Sequence, residues 1–374
     1  MLTGLLVLLA LAALALPAGA AAQSAGTVPY IGYNDDFNNF DIHSSNPLDP
    51  LTGWIPGFPE LPFPFPQDTT EIEANGKELL DLARKGGANV ARYTVPWARV
   101  ERKEGSYDWT IEDATYKMTL DAGLRPVIIL HTAPCWAYPS VKCGGDGDYR
   151  AYRPDPAYLD EFADFARAAI ERYPKAAAFE IWNEPNLKAF WGPDGTPSAY
   201  ADMVKAVGQR IEGMGSHPPI LFAGLTPKPQ WVEYLKQALG EFGAGDYVDG
   251  TAIHPYVGNK GAAAVRKRIR SVRDVLRAVK APRPIWITEV GWSTNPEAET
   301  AVTPQQQAAR VDQLIKTVPK FKVKSVILHR LRDVEHSSPW EEGLGVLDIN
   351  SHPKPIYCAL GLGYGLQVKP PGCG

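Results

Sequence analysis

Two short stretches place acids where an apolar run stops. In "FEIWNEPN", residues 179–186, Glu184 stands between Asn183 and Pro185; proline cannot donate to a sheet ladder, so a strand running through Phe179 must end there. In "PIWITEVGWST", residues 284–294, the apolar run Ile285–Ile287 leads through Thr288 to Glu289 before Gly291 and Trp292 interrupt it. Two carboxylates at the ends of two strands are the minimum equipment for cleaving a glycosidic bond. One protonates the leaving oxygen, and the other attacks the anomeric carbon or activates water. A third acid, Glu180, precedes Glu184 by four residues and shares its direction by strand alternation. At about 3.3 Å per residue it lies roughly 13 Å deeper, so it reads as a buried structural acid paired with Arg92.

These acids need a scaffold that brings strand ends together. Eight strand-like runs punctuate the chain: "YIGY" at Tyr30, "NVARYTV" at Asn89, "RPVIIL" at Arg125, "AFEIW" at Ala178, "ILFAGL" at Ile220, "GTAIH" at Gly250, "PIWITEV" at Pro284 and "SVILHRL" at Ser325. Helical periodicity fills the intervals, as in "AYLDEFADFARAAIERY", where Leu159, Phe162, Ala166 and Ile170 form one face, and in "PQQQAARVDQLIKTV", where Pro304 suits a first turn. The pattern predicts an α/β fold, a single (β/α)8 TIM barrel with a long loop after strand one. No strand is followed by the glycine fingerprint of a doubly wound dinucleotide-binding sheet. The chemistry of such barrels sits on the loops leaving the C-terminal strand ends, where Glu184 falls at the end of strand four and Glu289 at the end of strand seven.

Residues 1–22, with an apolar run from Leu5 to Leu16 and small residues around Ala20 and Ala22, read as a secretory signal peptide. Residues 23–374 then form the catalytic barrel, secreted and with no membrane attachment after cleavage; the alternative is an N-terminal membrane anchor. Four cysteines fit export. Of three possible pairings, the two local ones, Cys135 with Cys143 and Cys358 with Cys373, cost least. With 42 acidic and 38 basic residues, a net charge of −4 leaves no footprint for nucleic acid. The basic stretch from Val265 carries Val265, Ile269, Val272, Leu276 and Val279 at helical spacing, the mark of an amphipathic helix with a solvated cationic face.

"WNEPN" ending strand four and "TEVGW" ending strand seven resemble the glycoside hydrolases of clan A, families 5 and 39 among them. The resemblance covers nearly the whole chain beyond the signal segment. It implies a retaining β-glycosidase in which Glu184 is the general acid/base and Glu289 the nucleophile. It also implies that Asn183 binds the 2-hydroxyl of the sugar, that Arg92, ending strand two, keeps Glu289 ionised, and that His254 and Tyr256 in "HPY" position the two acids. The chain departs from the pattern at strand eight: where many members carry a tryptophan that floors the cleavage subsite, it reads "VILHRLRD". Trp340 or Trp292 is then the substitute platform, or His329 and Arg330 meet a polar or acidic substituent.

Aromatic rings stack on the apolar faces of pyranoses. Trp97, Trp136, Trp191, Trp292 and Trp340 fall at or beyond strand ends on the catalytic side, and Trp97, Trp191, Trp292 and Trp340 are the candidates for substrate binding. His131 after strand three is a wall residue of the same cleft. No His-x-His or carboxylate cluster with ligand spacing stands at the strand ends, so no metal and no cofactor are expected. The expected partner is a glycoside, oligosaccharide or polysaccharide, acted on by a monomer. The rival reading, a non-catalytic carbohydrate-binding barrel, would usually have lost one of the two acids.

Overall fold

The expected strands are buried on both faces, and that burial closes them into a ring. The computed structural model describes residues 30–35, 69–139, 153–192, 195–281, 283–335, 337–363 and 372–373. Its strands are β1 (Tyr30–Asn34), β2 (Val90–Pro96), β3 (Arg125–His131), β4 (Ala178–Ile181), β5 (Ile220–Leu225), β6 (Gly250–Ile253), β7 (Ile285–Val290) and β8 (Ser325–His329). All neighbours pair in parallel in chain order, and β8 returns to β1 with Tyr30 opposite Ser325 and Asn34 opposite His329. A closed barrel leaves no edge strand exposed.

Each strand is followed by a helix: α1 (Thr69–Lys85), α2 (Thr110–Asp121), α3 (Leu159–Arg172), α4 (Pro197–Ile211), α5 (Trp231–Lys236), α6 (Ala262–Ala278), α7 (Pro304–Thr317) and α8 (Pro355–Gly363). Local sequence explains where they begin. Thr303 accepts from the Gln306 backbone N–H at 3.2 Å while the Gln306 side chain accepts from Thr303 N–H at 3.0 Å. That reciprocal cap, with Pro304 behind it, fixes the start of α7. On the basic helix α6, Val265, Ile269, Val272 and Leu276 are buried, Val279 just past its end is half-buried, and the cationic face looks outward.

The long segment after β1 and Cys143 lie outside the described residues, as does the signal segment. Cys358 and Cys373 form a disulfide with Cα atoms 5.6 Å apart, as the spacing anticipates. Cys135 is disulfide-bonded, and its expected partner Cys143 is among the residues not described. No helix among the described residues is long and apolar enough to cross a membrane.

Candidate active site

Strand alternation alone would not build this site; two local irregularities do. After β4 ends at Ile181, Trp182 still pairs with Leu130 O at 2.8 Å, but Trp182 and Glu184 take left-handed φ values of 70° and 42°. Such values are costly for bulky residues and persist where the surroundings hold them. The turn at Trp182 sends its indole into packing with Phe162 of α3 and Trp191, and brings both Asn183 and Glu184 to the barrel mouth. On β7 the pairing with β8 shifts register between Ile287 and Val290. This lets consecutive residues Thr288 and Glu289 both reach inward.

Arg92 organises the floor. It lies within β2 rather than at its end, level with Asn34, the last residue of β1. Its guanidinium donates to Glu289 Oε1 at 2.6 Å, Glu180 Oε2 at 2.9 Å, Asn34 Oδ1 at 3.1 Å and Asn183 Oδ1 at 3.1 Å. Burial opposes its charge, but the carboxylates of Glu180 and Glu289 outweigh that and hold the group above its ordinary range. Glu180 is the expected buried acid paired with Arg92, but it does not lie about 13 Å below the site as a straight strand would place it. It shares the Arg92 guanidinium with Glu289 and stands 3.9 Å from His254 Nε2, because β4 ends at Ile181 and the chain turns at Trp182. The other Glu180 oxygen accepts from Gly224 N–H at 2.7 Å and from the Thr288 hydroxyl at 3.2 Å. Gly224 has to be glycine here, because a Cβ would overlap the His254 ring.

The two mouth acids sit in different hydrogen-bonding environments. Tyr256 donates its hydroxyl to Glu289 Oε2 at 2.7 Å. Burial, then the charges of Glu289, Glu341 and Glu184, push the phenol well above its usual range, so it remains a donor. Glu184 Oε1 meets His254 Nδ1 at 2.7 Å and accepts from the Thr226 hydroxyl. His254 Nε2 faces an Arg92 N–H at 3.4 Å and the Thr288 hydroxyl at 3.2 Å, so the ring links Glu184 to the Arg92–Glu180 cluster on the floor. An oxygen of Glu184, an oxygen of Glu289 and a nitrogen of His254 lie within 4.8 Å of one another. Three such donors could in principle hold a cation. Here Glu289 already has a guanidinium on one oxygen and a phenol on the other, a poor setting for a second positive charge.

The tryptophans divide. Trp97 is fully buried, donates to Glu101 Oε2 at 2.6 Å and packs against Phe162 and Phe165; Trp136 rests edge-on against it. Trp191 is enclosed by Trp182 and Tyr200, and Trp292 is buried with its N–H on Lys260 O at 2.7 Å. Their surroundings are those of loop packing. Trp340 is half-buried and stands edge-on to Tyr256 at 5.0 Å, beside the mouth acids. His131 is buried against Trp182 at 4.3 Å. At strand eight, His329 and Arg330 face acids of the chain itself, Glu341 at 3.0 Å and Asp35 at 3.0 Å. A role for them in attracting an acidic substituent is therefore unsupported.

Sequence reasoning missed Asn34, Gly224, Thr226, Thr288 and Glu341. Thr226 directly follows β5 and Asn34 closes β1, so inspecting every strand end for small polar residues would have found both.

No family model matches the chain. In sequence it is similar to a β-xylosidase of Caldicellulosiruptor saccharolyticus, with 26% identity across 66% of this chain and 54% of that protein. The chain thus spans about half the length of the curated relative. In structure it is similar to a family 39 glycoside hydrolase of Bacteroides cellulosilyticus, with a TM-score of 0.60 and 20% identity over 78% of this chain and 61% of that one. A monomeric β-xylosidase of Caulobacter crescentus superposes with a TM-score of 0.59 and 20% identity over 80% of this chain and 66% of that one. An exo-β-1,4-mannosidase of an Opitutaceae bacterium gives a TM-score of 0.54 and 18% identity, covering 78% and 55%. The chain is a (β/α)8 barrel that resembles the clan A glycoside hydrolases, with family 39 enzymes among its structural neighbours.

Proposed function

We propose that the chain is a retaining β-glycosidase that acts through a covalent glycosyl-enzyme. The observation that carries this reading is the pairing of Glu184 and Glu289 at the barrel mouth with oxygens within 4.8 Å. Retaining enzymes place the two carboxyl groups about 5–5.5 Å apart, whereas a water-activating pair needs roughly 6.5–9.5 Å.

Glu289 is the nucleophile. A guanidinium at 2.6 Å and a phenol at 2.7 Å favour its charged form and fix its orientation. Glu184 is the acid: Oε1 is already engaged by His254 and Thr226, so the transferable proton belongs on Oε2. In the first step a Glu289 oxygen bonds to the anomeric carbon, the glycosidic C–O bond breaks, and the departing oxygen takes the proton of Glu184. In the second, water attacks the same carbon and gives a proton to Glu184, and the Glu289 ester bond breaks with retention. Asn183 accepts from Arg92 through Oδ1, and its buried Nδ2 finds no partner among the described residues. That leaves an N–H for a sugar hydroxyl. Trp340 supplies the stacking face.

The similarity to a β-xylosidase makes β-xylosides the first substrates to test. Residues 1–22 direct export and 23–374 form one catalytic unit acting as a monomer; the Cys358–Cys373 disulfide suits an oxidising compartment. The test is a panel of aryl β-glycosides with NMR of the first product. A β-anomer formed before mutarotation supports the reading, and an α-anomer or no turnover on any member of the panel refutes it.

A further inference from the structure

Strand eight carries a buried histidine, His329, in place of a stacking ring, and its two ring nitrogens are held by groups that lead in different directions. Nδ1 lies 2.8 Å from Asn34 Nδ2, and Nε2 lies 3.0 Å from Glu341 Oε2. The polarity of the chain follows from the donors. Arg92 Nη1 donates to Asn34 Oδ1 at 3.1 Å, so the amide nitrogen of Asn34 is the atom facing His329, and Nδ1 must accept from it. The ring proton then sits on Nε2 and is donated to Glu341. The same Arg92 Nη1 donates to Glu289 Oε1 at 2.6 Å. The register of the barrel supports the link, because Asn34 is paired both with Arg92 on β2 and with His329 on β8.

We propose that His329 is a positioning residue for the nucleophile, acting through Asn34 and Arg92, while its other nitrogen anchors the short helix Pro339–Glu342 beside the site. The inference rests on the assignment of Glu289 as nucleophile. Glu341 belongs to that helix, and its neighbour Trp340 packs on Tyr256, the donor to the second oxygen of Glu289. One imidazole thereby braces both supports of the nucleophile, Arg92 from the floor and Tyr256 from the rim.

The two arms can be cut separately. In His329→Asn the side-chain oxygen can occupy the place of Nδ1 and keep the Asn34 arm; in His329→Gln the side-chain N–H can occupy the place of Nε2 and keep only the Glu341 arm. With an aryl β-xyloside, His329→Gln should lower kcat at least about tenfold through misplacement of Glu289, while the melting temperature falls by only about 2–6 °C from the unpaired buried N–H of Asn34. His329→Asn should keep kcat within about threefold while KM rises as the Trp340 rim loosens. Equal loss of kcat in both variants, or wild-type kcat in His329→Gln, overturns the proposal. A readout independent of turnover is the nitrogen NMR spectrum of histidine-labelled wild-type protein. His329 should show an unprotonated Nδ1 and a protonated Nε2, and a proton on Nδ1 overturns the relay. A wild-type enzyme inactive on every glycoside would sink the proposed function while the NMR result still decides the relay.

Discussion

Glu180→Gln separates the acid that holds the barrel together from the acids that do chemistry. Glu180 is wholly buried and accepts from Arg92 Nε at 2.9 Å through one oxygen, and from Gly224 N–H at 2.7 Å and the Thr288 hydroxyl at 3.2 Å through the other. Glutamine has one acceptor oxygen. Whichever way its amide turns, an NH2 group confronts either Arg92 or Gly224, donor against donor, and Arg92 loses a buried counter-charge. Breaking a buried pair in this way costs about 3–5 kcal/mol. At roughly 2 °C per kcal/mol for a domain of this size, the melting temperature should fall by about 6–10 °C. Circular dichroism melts measure this, and a burst of aryl leaving group reports whether the glycosyl-enzyme still forms. The folded variant should still form it. An unchanged melting temperature, or loss of the covalent intermediate from a protein that remains folded, would refute the division of labour between Glu180 and Glu184.

Gly224→Ala places a methyl group where the His254 ring lies and should lower kcat/KM at least about tenfold by displacing the partner of Glu184, as steady-state kinetics will show. Tyr256→Phe removes a hydrogen bond to a charged carboxylate, worth about 1.5–3 kcal/mol, so kcat/KM should fall roughly 10- to 150-fold. Because burial and the neighbouring carboxylates raise the Tyr256 pKa well above 10, the phenol stays protonated as pH rises to 10. The alkaline limb of the wild-type pH profile should therefore keep its position in the phenylalanine variant. A limb that moves would contradict this. Replacing Cys358 and Cys373 together by serine opens a link with a sequence separation of 15, which chain entropy values at about 3 kcal/mol; a melting temperature equal to the wild type would contradict it.

The barrel was readable in the chain because parallel strands buried on both faces leave short apolar runs at regular intervals. All eight of the runs named from sequence are strands of the ring. The two mouth acids were readable because each stands where such a run is broken, by Pro185 or by Gly291. Their mutual geometry was not. It depends on left-handed backbone at Trp182 and Glu184 and on a shifted register at β7, which tertiary contacts impose and local pattern does not announce. The tryptophans show the same limit: position after a strand end did not distinguish Trp97, buried among Phe162 and Phe165, from Trp340, half-buried at the rim. Asn34 and Glu341 were invisible because their significance arises only when β1 meets β8, nearly 300 residues later.

The most direct test of the central claim is the stereochemistry of azide rescue in two alanine variants. With 2,4-dinitrophenyl β-xyloside, whose leaving group needs little protonation, Glu184→Ala should accumulate the ester on Glu289, and azide should release β-xylosyl azide with retention. Glu289→Ala cannot form the ester, so azide should enter from the vacated side and give the α-azide. Opposite anomers from the two variants are the expected result. The same anomer from both, or full activity of Glu184→Ala on glycosides with poor leaving groups, would contradict it.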